Sequence, residues 1–304
     1  HASHMNYQLA DLQLQNKNFR MAAQEYERTA YEYPQHKKSA DAGYAAVYAY
    51  RQFLEVATQA ERDLIKREII RSSLKFAEVY PRHDKAAIVM VAAIEDLYNL
   101  KDFENAVLAG VKMLKAYPQA PSQLRRSSWK VVAHSSFELA SYADAEKAYS
   151  EVLKLTSTEN EERADLVENL AASIYKQGEQ ARKLEQYAEA ADHFLRVSKA
   201  AASAKIRPNA EFDAAAVLIL LRNWERASQV LVGFREKFPQ HEFNTEITKK
   251  LAVVYKESGK LLLAAAEFEH IERENHEDDG IRREALLEAA DLYVKAESLD
   301  KALV

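Results

Sequence analysis

One pattern recurs along this chain: an aromatic residue, an alanine three places on, and a second aromatic four beyond that. Phe19, Ala22 and Tyr26 carry it first, Tyr142, Ala145 and Tyr149 repeat it, and Tyr187, Ala190 and Phe194 repeat it again. Looser copies stand at Phe103/Ala106, Trp224/Ala227/Leu231, Leu261/Ala264/Phe268 and Leu299/Ala302. A second marker fixes the register. Pro34, Pro118 and Pro239 each lie fifteen residues after a leading aromatic, and each follows another aromatic, Tyr33, Tyr117 or Phe238. Tyr80-Pro81 has no aromatic upstream, but counting back places a degenerate copy at Lys66, in "IKREIIRSSLKFAEVYP". The eight starts are then 19, 66, 103, 142, 187, 224, 261 and 299, separated by 47, 37, 39, 45, 37, 37 and 38 residues. Self-similarity at such a period means a stack of supersecondary units, each packed on its neighbours.

In such an array the 304 residues count repeats rather than domains. Six glycines, six prolines and alanine-rich segments with spaced aromatics favour helix throughout, so no β-sheet is expected. The net charge of −5 comes from 47 acidic and 42 basic residues, which leaves no global basic field for nucleic acid or an anionic membrane. Cysteine is absent, which removes disulfide and thiol chemistry and is neutral about compartment. Residues 1–5, "HASHM", read as a cloning remnant, and "SLDKALV" stops inside what would be a second helix. Residues 6–304 are therefore expected to form one array of about seven to eight helix pairs, a fragment of a longer protein. No run of eighteen apolar residues is present to span a bilayer.

Each unit reads as two helices. Apolar residues at helical spacing precede the leading aromatic, as in "AAIVMVAAIEDLYNL" and "FDAAAVLILLRNW". A small residue recurs ahead of that aromatic, at Ala10, Ala133, Ala171, Ala215, Ala252 and Ala290, and permits close helix approach. Proline then ends the second helix, because it cannot continue the backbone ladder. Two units are longer, by residues around Glu55–Asp63 and by "EQARKLE" at Glu179–Glu185. These extra residues suit a lengthened helix pair or a longer turn with no separate role, or else a protrusion that marks a partner site.

Chemistry is sparse. Gly43, Gly110, Gly178, Gly233, Gly259 and Gly280 are isolated, so no glycine-rich loop cradles phosphate. The histidines include no helical pair flanking a glutamate of the kind found in hydrolytic zinc sites. The densest cluster is "HIERENHEDDG", with His270, His276, Glu277, Asp278 and Asp279, and it sits where one unit hands over to the next. It reads as a solvated connector rather than a metal site. Tyr26, Tyr149, Tyr175, Tyr255 and Tyr293 fall at packing positions, and no catalytic, cofactor or metal residue is assigned.

The combination of a small residue, an aromatic, alanine three later, an aromatic four later and a terminal proline resembles the tetratricopeptide repeat over nearly the whole chain. The resemblance implies an all-α, right-handed superhelical solenoid of antiparallel helix pairs, with first helices lining a concave groove. Groove positions of that family map here to Val91, Tyr98, His134, Phe137, Phe212, Ile219, Lys249, Leu287 and Asp291. The carboxylate clamp of the co-chaperone type is not carried over, since only scattered residues such as Lys249 match it. Spacings of 37 to 39 and the "YP" ending resemble bacterial cell-envelope members, such as the outer-membrane assembly lipoprotein and the Tol-Pal coordinator. The implied function is a non-catalytic scaffold that takes a partner peptide or helix in its groove, in the periplasm. The alternative is a regulatory or targeting domain of a larger enzyme or a cytosolic complex. Self-association through the apolar end of the array is a further possibility of such a chain.

Overall fold

The computed structural model describes residues 2–273 and 278–302, and every regular element among them is an α-helix. The chain divides into two compact units, residues 1–163 and 164–304. The first unit runs α1 (Ala2–Gln15), α2 (Phe19–Tyr31), α3 (Ser39–Val56), α4 (Arg62–Val79), α5 (Ala86–Asn99), α6 (Phe103–Ala116), α7 (Ser122–Glu138) and α8 (Tyr142–Lys154). The second runs α9 (Arg163–Lys183), α10 (Tyr187–Ala200), α11 (Arg207–Leu220), α12 (Trp224–Lys237), α13 (Asn244–Glu257), α14 (Leu261–Glu272), α15 (Asp279–Lys295) and α16 (Leu299–Ala302).

Seven of the eight repeat starts read from the sequence are the first residues of second helices: α2, α6, α8, α10, α12, α14 and α16. The exception is Lys66, which lies inside α4, because that helix begins a turn earlier at Arg62. The extra residues here make α3 and α4 18 residues each, joined by the turn at 57–61. The first five residues of "EQARKLE" are likewise taken up as helix, giving α9 its 21 residues, while Leu184 and Glu185 fall in the turn that follows. Both insertions thus lengthen helix pairs, and around Glu55–Asp63 the connecting turn at 57–61 is longer as well.

The alanines three places into the second helices, Ala22, Ala106, Ala145, Ala190, Ala227 and Ala264, are wholly buried. The small residues of the first helices, Ala10, Ala133, Ala215 and Ala252, are equally buried. In the lengthened α9 the place nine residues before Tyr187 belongs to Gly178 rather than Ala171, which sits two turns earlier in the core. A Cβ on Gly178 would come within 2.6 Å of the Phe194 ring, so only glycine allows that aromatic its place. In α15 Ala290 stands nine residues before the start at 299 but is only partly buried, and its neighbour Ala289 is the buried alanine. The second aromatics Tyr26, Tyr149 and Phe194 are buried to 2% exposure or less, each contributing about 2–3 kcal/mol of apolar burial.

A shared turn joins the two helices of seven pairs. Two residues before each start the backbone is left-handed, at Lys17, Lys101, Ala140, Glu185, Arg222, Gly259 and Glu297. The Ser141 N–H returns to the Ser136 carbonyl and the Ala140 N–H to Phe137, with the same pair of bonds in the other six turns. This is the Schellman ending of a helix, which satisfies two of its orphan carbonyls.

The aromatic-proline endings tie one helix pair to the next within the first unit. Pro34 and Pro81 have no N–H, so the carbonyls four residues back, Ala30 and Ala77, lose their helical donor. The Tyr80 hydroxyl donates to Ala30 at 2.5 Å, and the Tyr117 hydroxyl donates to Ala77 at 3.3 Å. Salt bridges add further ties between second helices, with Arg71 to Glu27 at 2.8 Å and Arg235 to Glu267 at 2.8 Å.

Candidate partner-binding faces

The groove positions implied by the resemblance stand twelve, eight and five residues before the repeat starts, on the first helices. In the first unit, Tyr98 and His134 come together, with ring centroids 6.0 Å apart. His134 is also 5.4 Å from the Tyr149 ring, and its Nδ1 lies 2.7 Å from the Tyr149 hydroxyl. Phe137 packs edge-on against Tyr142 at 5.2 Å. Val91 is different. At 4% exposure it belongs to the core around α5, which packs on both α6 and α7, so its side chain offers no surface to a partner.

Burial, then the nearby Lys130 ammonium, lower the pKa of His134 below the usual imidazole value. The neutral ring can therefore accept the Tyr149 proton at Nδ1. Tyr149 is itself pushed well above the ordinary phenol, first by burial. The pair is a packed hydrogen bond at the edge of the face, not an acid-base couple open to a substrate.

In the second unit, Phe212 packs on Phe243 at 4.7 Å, with the Lys250 ammonium 5.1 Å over its ring. Ile219 and Lys249 are partly buried, while Leu287 is 66% exposed. Asp291 is also exposed and holds Lys295 at 2.5 Å. Tyr175 donates to Asp213 on the next first helix at 2.5 Å, and Arg182 pairs with the same carboxylate at 3.3 Å. These ties fix the spacing of α9 and α11 and leave the aromatic rims of the face in place.

A recess on a first-helix face involves residues that the sequence reading did not single out. Tyr7 from α1, Asp41, Tyr44 and Tyr48 from α3, and His83 and Lys85 just before α5 line a hollow of about 400 Å³. Tyr48 is 47% exposed. Tyr7 occupies the same place relative to Phe19 as Val91 does to Phe103, so counting alone could have found it. Tyr44 and Tyr48 lie on the lengthened α3, where the repeat count loses its register.

Burial, then Asp11 and Asp41, raise the Tyr7 phenol above its usual value. The Lys38 ammonium already sits 4.5 Å from the Tyr7 ring centre, the attraction of a cation for an aromatic face. The recess therefore suits a side chain with an apolar or cationic end.

No group of three or more His, Cys, Asp or Glu side chains is placed to hold a metal among the described residues. In the connector cluster, His276 and Glu277 lie outside the described residues. Asp278 accepts the Gly280 N–H at 2.7 Å as the cap of α15, and Asp279 pairs with Arg282 at 3.4 Å. No helix among the described residues is long and apolar enough to cross a membrane.

No protein-family model matches the chain, and no curated protein does. Among solved structures, the chain is similar to pilF of Pseudomonas aeruginosa at 15% identity, covering 85% of this chain and 97% of that one, with a TM-score of 0.33. It is similar to YrrB, described as a TPR protein with an unusual peptide-binding site, at 17% identity, 76% and 98% coverage and a TM-score of 0.32. A tetratricopeptide repeat protein of Parabacteroides merdae matches at 13% identity, with 83% and 89% coverage and a TM-score of 0.31. Likenesses this distant carry no function, and the helix pairs themselves are what define the architecture. Their buried alanines, buried aromatics and repeated turns make this an all-α array of helix pairs.

Proposed function

We propose that this chain is a non-catalytic protein-interaction scaffold that holds a partner peptide or helix against the faces of its first helices. The observation that carries the reading is the tyrosine-lined recess of Tyr7, Tyr44 and Tyr48, built from two successive first helices and open to solvent at Tyr48. Aromatic side chains held by their neighbours offer large contact area at small entropic cost. Tyr98, His134 and Phe137 extend the aromatic character of the first-helix face in this unit, and Phe212, Ile219, Lys249, Leu287 and Asp291 are the corresponding positions of the second. A place in the bacterial cell envelope is part of the proposal, supported by the "YP" endings and the spacings of 37 to 39 residues.

The test is site-specific photocrosslinking from Tyr48 and from Phe212, run separately against soluble and envelope extracts of the source cell. One protein captured from these positions, mapped to a single segment and lost on Tyr44→Ala, supports the scaffold. If that protein comes only from the soluble extract, the envelope assignment fails. Capture that is indifferent to Tyr44→Ala removes the recess from the binding surface.

A further inference from the structure

On the opposite, second-helix side of the first unit, α4 and α6 leave a cleft of about 600 Å³ between them. Ile70 and Leu74 of α4, Met90 and Leu97 of α5, and Leu108 and Ala109 of α6 give it an apolar floor and wall. It exists because of what stands at the seam. Between α2 and α4 the space is filled by Tyr31, stacked 6.1 Å from Tyr80 with the Lys75 ammonium 4.1 Å from its ring centre. One repeat later the place of Tyr31 is taken by Glu78, whose exposed side chain pairs with Lys112 of α6 at 3.1 Å instead of filling the space between the helices with a ring. Small residues, Ala77, Ala109 and Ala116, line what is left.

The apolar surface continues beyond the cleft. Leu108, Lys112 and Ala116, four residues apart on α6, also border a second hollow on the far side, with Val107 and Val111. They form an i±4 ridge between two grooves, with Leu108 68% exposed at its crest. This is the surface relief onto which another helix packs. A small amphiphile confined to the cleft would leave the outer side of Leu108 and the second hollow uncovered.

Charge gives the sign of the partner. The two hollows are bordered by Arg67, Arg71, Lys112 and Lys115 against Glu78 and Asp102, a net positive surface on a chain whose net charge is −5. Arg71 is held by Glu27 and Glu68, and Lys112 by Glu78. Arg67 and Lys115 stand on the two sides of the ridge, and no ion pair holds either among the described residues. We infer that the α4–α6 cleft and the Leu108 ridge dock an amphipathic helix of a partner protein, with its apolar stripe on Leu108 and acidic residues beside the stripe. This site is independent of the tyrosine recess.

The probe is a labelled synthetic helix with leucines at i, i+4 and i+7 and glutamates beside them, titrated by fluorescence anisotropy against the intact protein. Its twin carries lysines in place of the glutamates. The expected result is saturable binding of the glutamate helix, weakened about tenfold or more by Leu108→Glu, by Arg67→Glu with Lys115→Glu, and by raising salt from about 0.05 M to about 0.5 M. The lysine twin is expected to bind at least about tenfold more weakly. Leu108 is exposed, so its variant should keep the wild-type circular dichroism spectrum, which is checked in parallel. Absence of saturable binding, equal binding of the twins, or indifference to Leu108→Glu overturns the inference. Loss of binding in Tyr48→Ala would move the contact to the first-helix face and overturn it as well. Competition by a fatty acid would make the cleft an acyl site instead, and a monomer-dimer equilibrium of the free protein abolished by Leu108→Glu would make the occupant a second copy.

Discussion

The Tyr80 hydroxyl donates to the Ala30 carbonyl at 2.5 Å, across 50 residues of sequence. Pro34, four residues after Ala30, has no N–H to give that carbonyl, so the proline that ends one unit creates an acceptor that the tyrosine before the next proline fills. Tyr80→Phe keeps the ring and its stacking on Tyr31 but strands a partly buried acceptor. It is expected to destabilise the protein by about 1–2 kcal/mol. Tyr117→Phe, whose bond to Ala77 is longer at 3.3 Å, should cost less. Urea unfolding of the two variants side by side checks the order.

Six of the seven left-handed turn residues are not glycine, and Ala140 is one of them, at φ 56° and exposed. A Cβ in this region is strained, so Ala140→Gly should raise stability by about 0.5–1 kcal/mol despite the greater freedom of glycine in the unfolded chain. Gly259, at φ 72° with open space around its Cα, predicts the converse. Gly259→Ala should lower stability by about 1 kcal/mol through backbone strain alone. Thermal melts that leave both variants at the wild-type midpoint would contradict this account of the turns.

Gly178 is a position of close approach rather than of backbone freedom. Gly178→Ala places a methyl group 2.6 Å from the Phe194 ring in a wholly buried contact, and is expected to cost about 2–3 kcal/mol by overpacking. Adding Phe194→Leu should recover part of that loss, since the smaller side chain vacates the contact. A double variant whose stability is the plain sum of the two single effects would show that they do not share the contact.

His134 gives the protein a pH dependence with a definite sign. Burial, first, and Lys130 lower its folded pKa below the unfolded value of 6.5. Between the folded pKa and 6.5 the unfolded chain binds more protons, so stability falls as pH drops through that window and is complete above it. His134→Gln keeps a polar side chain beside Tyr149 without the titration. Its melting temperature should change less than that of the wild type between about pH 7.5 and about pH 5.5. Parallel curves for the two proteins would place the pH dependence elsewhere.

The repeat starts were legible because helix pairs need the same contacts again and again. Phe19, Tyr142 and Tyr187 begin second helices because the alanine three residues on must face the preceding helix, and a 3.6-residue period leaves little choice of register. Lys66 misses the start of its helix for a related reason. Residues added to both helices of a pair preserve the packing but shift the start, and counting back from Tyr80-Pro81 cannot see the extra turn. The left-handed turns were illegible except at Gly259, since Lys17, Lys101, Glu185 and Arg222 carry no local turn signal and are held there by the helices they connect.

Sequence alone settled that this chain is a helical array, and it settled where nearly all the second helices begin, because those features depend on contacts repeated at fixed spacing along the chain. Tertiary structure decided which surfaces are open. Val91 is enclosed while Tyr48 and Leu108 face solvent, and whether Tyr31 or Glu78 stands at a seam decides whether that seam closes or leaves a cleft. Such outcomes depend on side chains that meet from neighbouring repeats, as Tyr117 meets Ala77 across 40 residues. The periodicity within any one repeat does not specify which pairs will meet.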